Sequence, residues 1–129
     1  MFNFSNINDI EFEYLCKDIM SRMLGVRLQR FAAGRDGGID LTNDSYKKTI
    51  IVQVKHYIKT DVAGLLSSLK NEVNKVRSNN PEKYYICCSK ELTPQNKADI
   101  YEMFSDYMES TENIISLIEI NDFLEEEKN

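Results

Sequence analysis

Residues 34–57 read GRDGGIDLTNDSYKKTIIVQVKHY. Asp40 stands at the start of one strand-like segment, Ile39 to Thr42, and Gln53 and Lys55 lie on the next, Thr49 to Tyr57. Between them runs the polar turn Asn43-Asp44-Ser45-Tyr46-Lys47-Lys48. Side chains on a strand alternate between faces, so Ile50, Val52 and Val54 point one way while Gln53 and Lys55 share the other. A carboxylate, an amide oxygen and an ammonium then converge at the rim of a hairpin. Oxygen ligands suit a hard divalent cation such as Mg²⁺, and a lysine suits the negative charge that develops on a phosphate under attack. The same spacing also fits an ordinary hairpin whose outer face is polar.

Outward from the hairpin, the rest of the chain supplies helices and strands in a readable order. Asn8-Asp9-Ile10-Glu11 has the form of a capping box, and apolar residues recur at Phe12, Cys16, Ile19, Met20 and Met23. A helix is expected from Asp9 to Leu24, closed by Gly25, where a left-handed residue is tolerated. Val26 to Ala33 reads as a first strand with Leu28 and Phe31 as core residues, and Gly34-Arg35-Asp36-Gly37-Gly38 as a tight turn. Beyond the hairpin, Thr60 or Asp61 can cap a helix in which Val62, Leu65, Leu66, Leu69, Val73 and Val76 follow helical spacing, ended by Asn79-Asn80-Pro81. Lys83 to Ser89 reads as a buried strand. Thr93-Pro94 is a cap followed by proline at the first helical position, opening a helix to about Met108. Asn113 to Glu119 resembles a fifth strand, and Asn121 a cap for a short helix, Asp122 to Glu127. Hairpin strands followed by alternating helix and strand indicate an α/β sandwich with a mixed sheet.

Composition bounds the function. The chain has 129 residues, 42% apolar content, five glycines and two prolines, which fits one domain with a substantial core rather than a disordered segment. No apolar run is long enough to cross a bilayer, and the first residues lack the basic and apolar blocks of a secretory signal, so an intracellular, cytoplasmic protein is expected. Three cysteines without a CxxC pair and a single histidine, His56, argue against structural zinc. The cysteines are read as small core hydrophobes, with Cys87 and Cys88 facing opposite ways. His56 should point away from Lys55 and is read as structural. The net charge is −5, but it is unevenly spread. Arg22 to Lys59 holds eight basic residues against three acids, whereas Asp99 to Glu127 holds ten acids and no lysine or arginine. A polyanion would therefore meet the hairpin side, and the acidic end is read as a solvated helix face.

Phe12-Glu13 in the first helix, Gly34-Arg35-Asp36-Gly37-Gly38-Ile39-Asp40, and Gln53-Val54-Lys55-His56-Tyr57 together resemble the Mrr-like branch of the PD-(D/E)xK nucleases. In that branch the glutamate of the last motif is commonly replaced by glutamine, as at Gln53. The resemblance implies a restriction-endonuclease-like three-layer sandwich around a central mixed five-stranded sheet, in the order α-β-β-β-α-β-α-β-α. It implies Asp40 as principal metal ligand, with the Gln53 side-chain oxygen and the Val54 backbone carbonyl beside it. Lys55 would orient the attacking water and stabilise charge on phosphorus, and Glu13 would approach from the first helix as an outer ligand or water partner. Arg35, Lys47, Lys48 and Tyr57 would be the DNA contacts, although Tyr57 fits core packing equally well. Gln53 in place of an acid removes a negative charge from the site, which weakens cation affinity.

The function so implied is a Mg²⁺- or Mn²⁺-dependent endodeoxyribonuclease. Similar domains often sit at the amino end of larger bacterial defence proteins, where an NTPase or sensor module controls them, and for an excised effector of that kind an active form assembled as a homo-oligomer is expected. Three alternatives stay open: a catalytically silent nucleic-acid-binding module, a protein-interaction domain using the acidic end, and a Holliday-junction resolvase.

Overall fold

The computed structural model of the protein describes residues 6–32, 39–44, 46–57 and 61–127. Helix α1, Asp9–Leu24, begins with the expected reciprocal cap: Glu11 N–H donates to the Asn8 side chain at 2.8 Å, and Asn8 N–H to the Glu11 carboxylate at 3.0 Å. Such a cap contributes about 1 kcal/mol by satisfying amide donors that have no partner within the helix. Gly25 closes the helix at φ +66°, a left-handed conformation that a side chain would strain. Phe12, Cys16, Ile19 and Met20 form the buried stripe of α1. Met23 falls outside it and is exposed, because its position has rotated past the sheet.

The sheet follows chain order. Strands β1 (Gln29–Ala32), β2 (Ile39–Thr42) and β3 (Ile50–Lys55) form an antiparallel meander, then β4 (Lys83–Cys88) and β5 (Ile114–Ile115) add in parallel. Helix α2, Val62–Asn79, makes the crossover from β3 to β4. Asp61 caps its start by accepting from Gly64 N–H at 2.8 Å, and Asn80 ends it in the left-handed region. Helices α3, Pro94–Met103, and α4, Leu117–Glu127, complete the chain order.

Strand alternation divides the core into two layers. Leu41, Val52, Cys87 and Ile115 face α1 and α4, packing on Phe12, Cys16, Ile19, Met20 and Ile120. Ile51, Tyr84, Ile86, Cys88 and Ile114 face α2 and α3, packing on Leu65, Leu69, Val76, Ile100 and Phe104. Cys87 and Cys88 thus point to opposite faces, and Cys87 reaches the Cys16 sulfur at 3.0 Å on the α1 side. The result is the three-layer sandwich around a mixed five-stranded sheet that the sequence implies.

Several boundaries differ from the sequence reading. The first strand starts at Gln29, not Val26, and Ala33 lies outside the described residues. The third strand ends at Lys55: the ladder with β4 finishes at the Lys55–Cys88 pair, and Tyr57 N–H turns to the Ser89 hydroxyl instead. Helix α3 stops at Met103, because Phe104 leaves the helical region and the Tyr107 carbonyl accepts from the Tyr84 amide. The fifth strand is only two residues long. Ser116 ends it and opens α4, its amide and hydroxyl both donating to Glu119 Oε1, at 2.8 and 2.6 Å. Asn121 is therefore no cap. It is a buried residue inside α4 whose side-chain amide donates to the Leu117 carbonyl.

Candidate active site

Asp40 on β2 is the direct cross-strand partner of Gln53 on β3, so both side chains stand on one face of the sheet. Lys55 shares that face two residues on. The face is covered by α2: Asp40 is 5% exposed and Gln53 4%, because Leu65, Leu69 and Val76 bring the helix down onto the neighbouring Ile51. A polar hairpin rim open to water was one sequence expectation, and the packing of α2 replaces it with a buried polar pocket.

Within that pocket the hydrogen bonds are unevenly distributed. Gln53 Oε1 accepts from the Tyr84 hydroxyl at 3.1 Å. The Lys55 ammonium donates to the Ser68 hydroxyl at 3.2 Å and to Glu72 Oε1 at 3.4 Å, both from α2. Tyr57 donates its hydroxyl to Ser68 at 2.6 Å, which ties that ring to the same cluster. Asp40 Oδ1 is buried and has no hydrogen-bond partner among the described residues. Burial, reinforced by the Glu72 charge and opposed by Lys55 and Lys75, lifts the Asp40 pKa from 3.8 to about 7.

Glu72 was not among the residues the sequence singled out. It is buried at 6% exposure and lies 3.4 Å from Lys55 and 3.8 Å from Lys75. A signal was available: the buried stripe of α2 runs Leu65, Leu69, Glu72, Val76, so an acid occupies a core position in an otherwise apolar row. Val62, Leu66 and Val73, counted with the core from spacing, are its half-buried flanks.

The other candidates lie around this pocket or beyond it. Glu13 sits on α1, on the opposite side of the sheet from α2; its carboxylate accepts from Arg30 at 2.8 Å, and its charge is among the smaller causes that raise the Asp40 carboxyl. The Arg30 guanidinium also meets the Tyr14 hydroxyl at 3.2 Å and stacks over that ring at 5.0 Å. The Val54 side chain packs into the α1-facing cluster. His56 stacks on Phe12 with ring centroids 4.6 Å apart, and its Nε2 meets the Ile7 carbonyl at 2.9 Å, away from the Lys55 pocket. Lys47 is exposed, while the Lys48 ammonium lies 5.0 Å from the centre of the Phe31 ring. Asp44 holds the loop tip by accepting from the amides of Tyr46 and Lys47 at 2.7 and 2.8 Å, and Tyr46 is 91% exposed. Arg35 and the turn Gly34-Arg35-Asp36-Gly37-Gly38 lie outside the described residues.

The donor set around Asp40 suits a hard cation: one carboxylate oxygen without a partner, an amide oxygen beside it, and a second carboxylate on α2. No cluster of three or more histidine, cysteine, aspartate or glutamate side chains able to hold a metal occurs among the described residues. Amide oxygen, backbone carbonyl and water are further ligands that suit such an ion. No helix among them is long and apolar enough to cross a membrane.

Comparison with known proteins finds a family and a relative. The sequence model of the Mrr_cat family, described as restriction endonuclease, matches residues 4–125. An uncharacterized protein, y4cD, of Sinorhizobium fredii is 29% identical over 123 residues. That match covers 95% of this chain but 19% of the relative, so the chain spans about a fifth of the length of the protein it resembles. No solved structure matches.

Proposed function

The chain belongs to the Mrr_cat restriction-endonuclease family, and from that premise we propose that it is a DNA endonuclease that uses Mg²⁺ or Mn²⁺ at Asp40. The observation that carries the proposal is the buried, unpartnered Asp40 Oδ1 facing Gln53 and Lys55. An isolated carboxylate out of water is costly, and a bound cation removes that cost. Asp40, the Gln53 amide oxygen and the Val54 backbone carbonyl are the groups that would hold the ion. When bound, it would polarise the scissile phosphate and acidify a water.

The remaining chemistry falls to side chains of the pocket. Lys55 orients the attacking water and offsets charge building on phosphorus. Its present bonds at 3.2 and 3.4 Å are longer than the 2.7–2.9 Å typical of charge-assisted contacts, so a phosphate oxygen can displace them. Lys47, Lys48 and Arg35 are the proposed phosphate contacts, and Tyr57, held by Ser68, lines the approach. Glu13 is assigned to clamping Arg30 rather than to the cation. The partial coverage of the longer relative supports a module within a larger protein; a cytoplasmic defence role, a joined NTPase or sensor unit and homo-oligomeric assembly are the further parts of the proposal, and they rest on the family resemblance.

Cleavage of supercoiled and linear DNA tests the assignment. Wild type should cut with Mg²⁺ or Mn²⁺ and stop in EDTA, whereas Asp40→Ala and Lys55→Ala should bind DNA without cutting it. Cleavage by both variants at the wild-type rate would refute the site. A second reading, a silent DNA-binding module, is favoured by one feature: Gln53 stands where the motif has an acid, and Tyr84 already occupies its oxygen. DNA binding with no cleavage at any metal concentration would select it.

A further inference from the structure

Every acid buried in a protein needs a reason, and Glu72 has only a weak one in the contacts it makes among the described residues. Its two oxygens lie 3.4 Å from Lys55 and 3.8 Å from Lys75, beyond the range of strong charge-assisted bonds, although its side chain is 8% exposed. A carboxylate held this loosely is poorly compensated for lost hydration. On the same face, Asp40 Oδ1 has no partner among the described residues. Asp40 is registered to Gln53, Gln53 shares its face with Lys55, and Lys55 touches Glu72, so the two acids border one buried space. The Glu72 charge is also among the causes that lift the Asp40 carboxyl, as expected for two acids facing each other across low-dielectric ground.

We propose that Glu72 is the second carboxylate ligand of the Asp40 cation site, delivered by α2 to the place where Gln53 leaves the strand motif one acid short. The inference rests on the Asp40 reading above and adds a residue to it. A divalent ion between Asp40 and Glu72 gives Asp40 Oδ1 a partner, replaces the long Lys55 contact of Glu72 and frees the Lys55 ammonium for the phosphate. The acid lost from β3 is thereby supplied from a different element, and the metal site keeps two negative charges. The competing role for Glu72 is that of a counter-ion to Lys55, with no contact to metal.

Mn²⁺ binding to the DNA-free protein, measured by titration calorimetry, separates these roles. Glu72→Gln should weaken Mn²⁺ binding by about tenfold or more, and adding Gln53→Glu to that variant should recover most of the loss. Wild-type Mn²⁺ affinity in a folded Glu72→Gln protein would overturn the proposal, as would a Gln53→Glu/Glu72→Gln double variant no tighter than Glu72→Gln alone. Should Glu72→Gln fail to fold, Glu72→Asp takes its place. It keeps the counter-ion but withdraws the oxygens by one methylene, so weaker Mn²⁺ binding with an unchanged melting temperature supports the ligand role and unchanged affinity overturns it. Asp40→Asn is the control. If it too binds Mn²⁺ like wild type, the Asp40 site itself is wrong; if it loses binding while Glu72→Gln does not, only the Glu72 assignment falls.

Discussion

Removing a single charge from Asp40 should make the metal-free protein more stable at neutral pH, the reverse of what replacing a buried polar residue usually does. The folded carboxyl holds its proton more tightly than the unfolded chain does, since burial raises its pKa from 3.8 to about 7. Below pH 3.8 the group is neutral in both states and costs nothing. As pH climbs through that window the unfolded chain ionises first, and stability falls until the folded carboxyl also ionises near pH 7. Above the window the penalty is constant, at about 4 kcal/mol. Because Asp40 is 5% exposed, solvent screening reduces this figure little.

Asparagine keeps the shape and removes the ionisation. Its amide N–H₂ needs new partners, at a cost of about 1–2 kcal/mol, so the net gain of Asp40→Asn at pH 8 should be about 2 kcal/mol. Urea denaturation in EDTA at pH 5 and pH 8 measures both quantities. Between those values wild type should lose about 2–3 kcal/mol relative to Asp40→Asn, and saturating Mg²⁺ at pH 8 should close much of the gap in wild type only. Parallel pH profiles for the two proteins, or an Asp40→Asn protein weaker than wild type at pH 8 in EDTA, would show that the carboxylate is not held charged in a dry pocket.

Other perturbations reach different parts of the molecule. Glu13→Gln leaves Arg30 without its carboxylate in a partly buried position and should cost about 1–3 kcal/mol by denaturation; DNA cleavage should stay within a few-fold of wild type, and a large loss of rate without loss of stability would place Glu13 in the chemistry. Burial pushes the Cys16 thiol well up and the Cys88 thiol to about 12, so the native protein should resist a thiol reagent at pH 8 and expose three reactive thiols on unfolding; one fast-reacting thiol in the native state would contradict the packing. Lys47→Ala/Lys48→Ala should flatten the dependence of DNA affinity on salt by about 0.9 per lost phosphate contact on a log–log plot, and an unchanged slope would remove the loop tip from the interface.

Much of the fold was legible because local and global signals agree. The Asn8–Glu11 box and Gly25 bracket α1, and Asp61 and Asn80 bracket α2, since caps act within a few residues and leave their mark in the sequence. The carboxyl end was harder. Ile114 and Ile115 are apolar neighbours followed by Leu117 and Ile118, which reads as one strand, yet Ser116 and Glu119 form a capping pair that cuts it after two residues. The Ser-x-x-Glu spacing was visible, and strand-forming isoleucines masked it.

The site was legible in one dimension and illegible in another. Alternation along β3 puts Gln53 and Lys55 on one face and Val52 and Val54 on the other, whatever packs above them. It cannot say which face meets water, because that depends on where the β3–α2–β4 crossover lays its helix. Here α2 covers the Gln53 face, and the consequence is electrostatic. A polar face open to water needs no further charges, but on this face Lys55 has a side chain 13% exposed and Asp40 is 5% exposed, so the ammonium and the cation site both draw on an acid from the covering helix. Burial of the strand motif thus requires charges from the element that buries it, which places the informative acid, Glu72, outside the motif and within the apolar stripe of a helix.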